Sequence, residues 1–300
     1  MDRNKKILSC IVACALITMP LAACSKDSIV HNDAITPETE WTPGGVPDQD
    51  IDPPSAPDTR PPSENDGNAN GESPEVEPPN ASPTVKSIKY IRTNTNGLNI
   101  RTGPSTSYAS LGAVEKGVLL KYDGKTDGFY KTTYLNRTAY VSANPSYTTI
   151  TSMDVPNADN DVENVINEGL KVLGTKYVYG ATRYHYGNGT RVPGFKVSEF
   201  DCSSLMQYIF YMGANKLLDM NSRTQSLQGT HVNRSDLKRG DLMFFTNASR
   251  KDKVGIERIG HVGLYLGDNY ILHTASDYAK VEQINSTRWG YYITARRIIQ

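Results

Sequence analysis

The chain has 300 residues, and 32 basic side chains balance 32 acidic ones. That length accommodates two modest domains plus tails. The zero balance hides a polarised chain: residues 25–83 hold thirteen acidic residues against Lys26 and Arg60, which leaves about nine surplus positive charges from residue 84 onward. Such a surplus fits an anionic partner, and the export signal described next argues against nucleic acid.

Met1 to Lys6 is a short basic start, and residues 7–23 are almost entirely apolar. The stretch closes with Leu21-Ala22-Ala23-Cys24, small residues before a cleavage point. A transmembrane helix is the weaker reading, because the span is short and holds Pro20. A plain secretory signal is the stronger rival. A cysteine placed directly after the small residues resembles a bacterial lipoprotein signal, which implies a signal peptide over 1–23, a diacylglyceryl group on Cys24 and attachment to a membrane. Of the four cysteines, Cys10 and Cys14 then leave with the signal and Cys24 carries the lipid. The exported chain keeps one thiol, Cys202, with no partner for an internal disulfide.

Residues 24–84 hold twelve of the seventeen prolines and few large apolar residues. They cannot bury enough surface to offset the entropy of ordering, so they read as a disordered tether. Proline pairs stiffen it, and its reach has a ceiling on the order of 190 Å.

Residues 85–152 change character. Strands are expected over 88–91, 98–100, 118–122, 130–134 and 139–141, punctuated by Asn96-Gly97, Asp123-Gly124 and Asp127-Gly128. Five short strands in this length predict a small all-β barrel. Residues 98–108 (LNIRTGPSTSY), Gly112, Lys116-Gly117, Gly128-Phe129-Tyr130 and Tyr140-Val141-Ser142 carry a resemblance to bacterial SH3-like domains. The resemblance implies that this segment binds the cell wall or shapes a neighbouring active site; a rigid spacer is the bland alternative.

A polar linker is expected over 153–161. An amphipathic helix follows, with Val162, Val165, Ile166, Leu170 and Leu173 on one face and Gly174 as its stop. The last domain, 162–300, places helices before strands, an α+β pattern.

Cys202, Leu205, Met206 and Ile209 recur at helical spacing, with capping residues Glu199, Asp201 and Ser203 around the start. Cys202 therefore falls in the first turn of a helix, where unsatisfied amides and the helix dipole favour a thiolate. The same spacing fits the first residue of a buried stripe, and this segment alone does not choose between the two. Farther on, His261 and His273 flank a hairpin. Val262, Leu264 and Leu266 alternate onto one face and His261, Gly263 and Tyr265 onto the other. A three-residue loop over 267–269 would pair Leu266 with Tyr270 and Gly263 with His273, putting both histidines on one face as diagonal neighbours. A loop one residue longer would separate them. A thiol and two imidazoles in this arrangement supply nucleophile, base and orienter. They are also a donor set for zinc with an open position, the rival reading.

DCS (201–203), GDLMFF (240–245), GHVGLYLGD (260–268) followed by His273, KYVYG (176–180) and Arg223-Thr224 with Gln228 together resemble the NlpC family of cell-wall cysteine peptidases. The resemblance covers 162–300. It implies a papain-like fold, a Cys-bearing helix packed on an antiparallel sheet, and hydrolysis between γ-D-glutamate and the diamino acid of peptidoglycan stems, with no metal and no cofactor. By position it makes Cys202 the nucleophile, His261 the base and His273 the orienter. Tyr179, Asp201 and Ser203 then match cleft-lining residues, and in several relatives the aspartate and serine help recognise the free amine of a stem's first alanine. A plain helix cap is the other reading of Asp201. The implied partner is the peptidoglycan stem, outside the membrane and facing the wall; the oligomeric state is left open, with a monomer favoured. The rival functions are a non-catalytic wall-binding lipoprotein and an amidase or acyltransferase on the same scaffold. This chain departs from the family at Ala181, where a second glycine is usual, in a longer and aromatic 181–198, and in an extended, basic 247–258.

Overall fold

The computed structural model describes residues 84–300. The expected signal, the expected lipid site at Cys24 and nearly all of the expected tether lie outside the described residues.

The first domain has eight strands: β1 (Val85–Thr93), β2 (Leu98–Arg101), β3 (Ser110–Val114), β4 (Leu119–Lys121), β5 (Lys125–Thr126), β6 (Phe129–Tyr134), β7 (Arg137–Ser142) and β8 (Thr148–Pro156). They form a three-stranded sheet of order β4-β1-β8 and a five-stranded sheet of order β3-β2-β7-β6-β5. Tyr90, Ile91, Ile100, Leu119, Leu120, Ala139 and Val141 fill the space between them. Each of the five segments expected from sequence falls on a strand, with 118–122 overrunning β4 by one residue at each end, and β3, β5 and β8 are additional. β8 pairs along the whole of β1, from Thr148 opposite Thr93 to Pro156 opposite Val85. Its apolar residues are scattered and mostly exposed, as suits an edge strand that ends in proline. Residues 153–156, expected as linker, are therefore strand, and only 157–159 separate the barrel from the next helix.

That helix, α1 (Asn160–Lys171), is capped by the Asp159 carboxylate accepting from the Val162 amide at 3.0 Å. Val162, Val165, Ile166 and Leu170 are buried as expected, and Gly174 leaves it with φ +85°. The short parallel strands β9 (Lys176–Tyr177) and β10 (Glu199–Phe200) bracket the long insertion, and α2 (Cys202–Ala214) follows at once. After α3 (Ser222–Gln225) come β11 (Thr230–Val232), β12 (Leu242–Phe245), β13 (His261–Gly267), β14 (Tyr270–Ala275) and β15 (Tyr278–Gln283), then α4 (Ser286–Gly290) and β16 (Tyr292–Arg297). The sheet order is β10-β9-β15-β14-β13-β12-β16-β11. One face packs Leu264, Leu266, Leu272 and Val281 against Leu205, Met206, Ile209 and Phe210 of α2, with α1 behind. The other face carries Met243, Phe245, Ile271 and Ile284 under Trp289, Tyr291 and Tyr292.

The two domains are joined by a buried clamp. Arg239, just before β12, donates to Glu163 of α1 from Nε at 2.5 Å and Nη2 at 2.9 Å, to the Tyr90 hydroxyl of β1 at 2.8 Å and to the Leu266 carbonyl of β13 at 2.7 Å. Beside it, the Leu135 and Asn136 amides donate to the carbonyls of Leu173 and Lys171. Tyr134 lies so close over Gly174 that a Cβ there would meet its ring at 2.2 Å. No helix among the described residues is long and apolar enough to cross a membrane.

Candidate active site

Cys202 is the first residue of α2. Asp201 caps the helix: its Oδ1 accepts from the Ser204 amide at 2.8 Å, and the Ser204 hydroxyl accepts from the Asp201 amide at 2.9 Å. This reciprocal cap pins the first turn against the sheet. The Cys202 thiol is half-buried and lies within hydrogen-bonding reach of the amides of Ser203 and of Val262, the residue after His261. The sulfur is thus held between the tip of α2 and the start of β13.

Burial pushes the Cys202 thiol up to about 12, and the Asp201 carboxylate adds to the rise against the opposing pull of the two amides and Arg183. The thiolate expected from the helix dipole is therefore corrected: desolvation and a neighbouring carboxylate outweigh the dipole. The resting group is a neutral thiol.

The hairpin differs from expectation at its tip and agrees farther down. Gly267 pairs with Tyr270, leaving a two-residue turn of Asp268 (φ 48°) and Asn269 (φ 64°). Both central residues have the positive φ of a type I′ turn. A register shift between Tyr265 and Gly267 restores the expected alignment, with Leu264 opposite Leu272. The bulge thus compensates for the shorter turn, and both histidines fall on one face. Gly263 lies between them. A Cβ there would stand 2.5 Å from Ile271 Cδ1 and 3.0 Å from His273 Cβ, so glycine lets the two strands carry both rings.

His261 Nε2 is 3.0 Å from His273 Nδ1, with the ring planes at 84°. His273 Nε2 is in turn 3.0 Å from Glu282 Oε1 on β15. Glu282 also faces Arg288 Nη2 at 3.2 Å and Lys280 Nζ at 3.7 Å. Burial alone would raise the Glu282 carboxyl, but the hydrogen bond to His273 and the charges of His273, Lys280 and Arg288 bring it down to about 2. Burial lowers His273 in spite of Glu282. Burial, helped by His273 and Arg288, holds His261 well below its ordinary value. Once the pH is above the lowered range of His273 and His261, a carboxylate faces two neutral rings.

This assigns the tautomers. A carboxylate only accepts, so His273 donates from Nε2–H. The His273 Nδ1 then carries a lone pair and accepts from His261 Nε2–H. The remaining lone pair of the chain sits on His261 Nδ1. Glu282 was missed in the sequence because its link to His273 is a diagonal across β14 and β15, with His273 opposite Lys280 and Glu282 opposite Ile271.

Asp201 and Ser203 lie together at the helix start, both buried. Arg183, from the insertion, holds Asp201 Oδ2 at 2.7 Å and Ser203 Oγ at 3.2 Å. Tyr179, expected in the cleft, is 87% exposed and its ring stands open to solvent. Tyr177, two residues earlier, is the tyrosine near Cys202: burial, with added repulsion from Cys202 and Asp201, raises its phenol to about 12. Its place in β9, paired with Phe200 next to the cap, is the signal that points to it. Among the described residues, no group of three or more His, Cys, Asp or Glu side chains is placed to hold a metal ion.

Comparison with known proteins bears on both domains. Residues 96–146 match the bacterial SH3 domain family and residues 174–298 the NlpC/P60 family. The chain is similar to "Probable endopeptidase p60" of Listeria monocytogenes, 31% identical over 129 residues, which are 43% of this chain and 22% of that protein. It is also similar to the "Gamma-D-glutamyl-L-lysine dipeptidyl-peptidase" of Bacillus cereus, 31% identical over 149 residues, 49% of this chain and 38% of that protein. The matches thus span between a fifth and two fifths of those relatives. A crystal structure of an NlpC/P60 family protein from Bacillus cereus aligns with 71% of this chain and 64% of its own, at 23% identity and a TM-score of 0.38. The β-barrel, the Cys-headed helix on its antiparallel sheet and these two matches together place a bacterial SH3 domain and an NlpC/P60 domain of papain-like fold in one chain.

Proposed function

We propose that this protein is a cysteine peptidase that cuts peptidoglycan stem peptides at the bond between γ-D-glutamate and the diamino acid. The observation that carries the reading is the chain Glu282–His273–His261 on the sheet, reaching the strand end that holds the Cys202 sulfur. The activity for which the Bacillus cereus relative is named supports the choice of bond.

With both thiol and imidazole neutral at rest, proton transfer accompanies attack. The Cys202 sulfur bonds to the amide carbonyl carbon as His261 Nδ1 takes the thiol proton. The imidazolium so formed is stabilised through His273 by the Glu282 carboxylate. Backbone amides at the tip of α2 receive the oxyanion. Collapse breaks the C–N bond, and His261 returns the proton to the leaving amine. Water, deprotonated by the same ring, then hydrolyses the thioester. Asp201, Ser203 and Tyr177 line the approach, with Tyr179 at its outer lip.

The Leu-Ala-Ala-Cys start supports a lipid on Cys24 and a location outside the membrane, facing the wall. Mass measurement of the mature N-terminal peptide tests this: a diacylglyceryl adduct on Cys24 is expected, and an unmodified cysteine overturns it. Digestion of defined stem peptides tests the chemistry. Wild type should release the γ-D-glutamyl fragment, and Cys202→Ala and His261→Ala should not. Equal cleavage by all three removes the proposal.

A further inference from the structure

The insertion between β9 and β10 is a built wall rather than a loose loop. Residues 185 and 191 bridge it, and Tyr184 packs edge-on against Phe195 at 5.0 Å and Tyr208 of α2 at 5.4 Å. Arg191 covers the other side of the Tyr184 ring at 3.8 Å. This aromatic stack fixes the chain one residue before Tyr184, where Arg183 turns inward with its side chain 15% exposed.

Arg183 has five N–H donors in a planar fork. Nε donates to the Met220 carbonyl. Nη1 donates to the Ala181 carbonyl at 2.5 Å and to Asp201 at 2.7 Å, and Nη2 donates to Ser203 at 3.2 Å. Four donors are used and one remains, on Nη2. Asp201 is equally occupied: Oδ1 takes the Ser204 amide and the Ser203 hydroxyl, and Oδ2 takes Arg183. Arg183 also lines a cleft of about 500 Å3, together with Gly180, Ala181, Val192, Met220 and Asn221. Arg183 is the residue shared by this cleft and the Asp201–Ser203 cluster at the start of α2.

An ammonium group entering this cleft would find no free carboxylate. The carboxylate that Arg183 reaches, Asp201, is already neutralised by this rigid guanidinium, whose charge repels a second cation. A carbonyl oxygen would find the spare Nη2–H. We infer that Arg183 makes the cleft select a substrate whose amino end is acylated over one with a free amine. The stem peptide would then be accepted while its first residue is still amide-linked, and released stems with a free terminus would be poor substrates. This rests on the peptidase reading and names its substrate class. It also sets this chain against the amine recognition that the family resemblance implies for Asp201 and Ser203.

The test compares three versions of one stem peptide: free amine, N-acetyl, and linked through the lactyl group of muramic acid. The first two isolate the acyl group itself, and the third asks whether the glycan side is the source of the acyl group. Wild type should favour both acylated forms in kcat/KM by roughly tenfold or more, the scale of one hydrogen bond to a charged group. Arg183→Gln, which leaves Asp201 uncompensated, should move the ratio toward the free amine by roughly ten- to a hundredfold. Arg183→Lys keeps the charge and should keep the wild-type preference even if the insertion loosens. A wild-type ratio near one or favouring the free amine overturns the inference, as does an unchanged ratio in a folded Arg183→Gln protein. Calorimetric binding of the same peptides to Cys202→Ala, with and without Arg183→Gln, reads the same preference without turnover. If wild type cuts none of the peptides, the peptidase reading fails while the binding ratio still decides the selectivity.

Discussion

Glu282 sits 3.0 Å behind His273, on the side away from His261, and so sets which nitrogen of each ring carries its proton. The proposed base, His261, is oriented by a residue two strands away from it.

Removing that carboxylate should impair turnover more than binding. In Glu282→Ala, His273 loses the acceptor that fixes its tautomer, and the imidazolium formed on His261 loses its counter-charge. We expect kcat to fall about a hundredfold, the lower end of what a positioned general base contributes, with KM nearly unchanged. Steady-state kinetics on a defined stem peptide check this, and a fall confined to KM would contradict it. The same residue links stability to pH. Its folded-state pKa of about 2 lies below the ordinary 4.5. Its stabilisation, roughly 2 kcal/mol after allowing for partial solvent contact, is fully present above about 4.5 and lost as pH falls toward 2. Melting of Glu282→Gln and wild type should therefore converge in acid.

The acid limb of activity should lie lower than an ordinary histidine would put it. Burial, His273 and Arg288 hold His261 well below 6.5, and the base works only when unprotonated. Arg288→Gln removes one depressing charge and frees Glu282 to pull protons onto the rings. Both changes raise the pKa, so the acid limb of kcat/KM should shift to higher pH. A limb that stays in place would show that Arg288 does not act on His261. For stability the sign is also fixed. The unfolded chain takes up protons near 6.5 while both folded imidazoles resist them, so stability declines as pH drops below about 6.5.

Gly263→Ala tests the geometry of the strand pair. The added methyl would overlap Ile271 and press on His273 Cβ. Overpacking of this kind costs about 1–3 kcal/mol. We expect a lower melting temperature and, in protein that remains folded, a reduced kcat as His273 moves from His261. Wild-type stability and rate together would refute the packing argument.

Arg239→Met should loosen the joint between the domains. It strands Glu163, whose side chain is 10% exposed beside an arginine 8% exposed. Breaking such a pair costs about 3–5 kcal/mol. Calorimetry should show a lower first transition, with barrel and sheet no longer melting together. Retention of a single unshifted transition would count against the clamp.

What the sequence discloses follows the range of each interaction. Alternation along residues 261–266 places His261 on the face of Gly263 and Tyr265, because a period of two is a local property, while His273 joins that face only through the register of the hairpin. It misjudges the turn, where Gly267 joins the strand and a bulge absorbs the difference. The α1 stripe and the α2 start are legible for the same reason. Glu282 and Arg183 are not, since each acquires its role from a strand pairing or an insertion that meets the site only in three dimensions. β8 escapes notice because an edge strand buries few side chains. The helix-tip argument for a thiolate fails because the local dipole is visible in sequence and the surrounding desolvation is not.

The clamp at Arg239 also decides which shortened chains can exist. Its hydroxyl partner lies 149 residues upstream, on the first strand, and its carboxylate partner 76 residues upstream. A product truncated between residues 174 and 239 retains the barrel and α1 but leaves Glu163 without its cation. Barrel and first helix would then hang together by little more than the contacts around Gly174, with residues 157–159 as a natural point for proteolytic nicking. An expression library ending at successive positions should therefore yield stable protein only once both the arginine and β13 have been included.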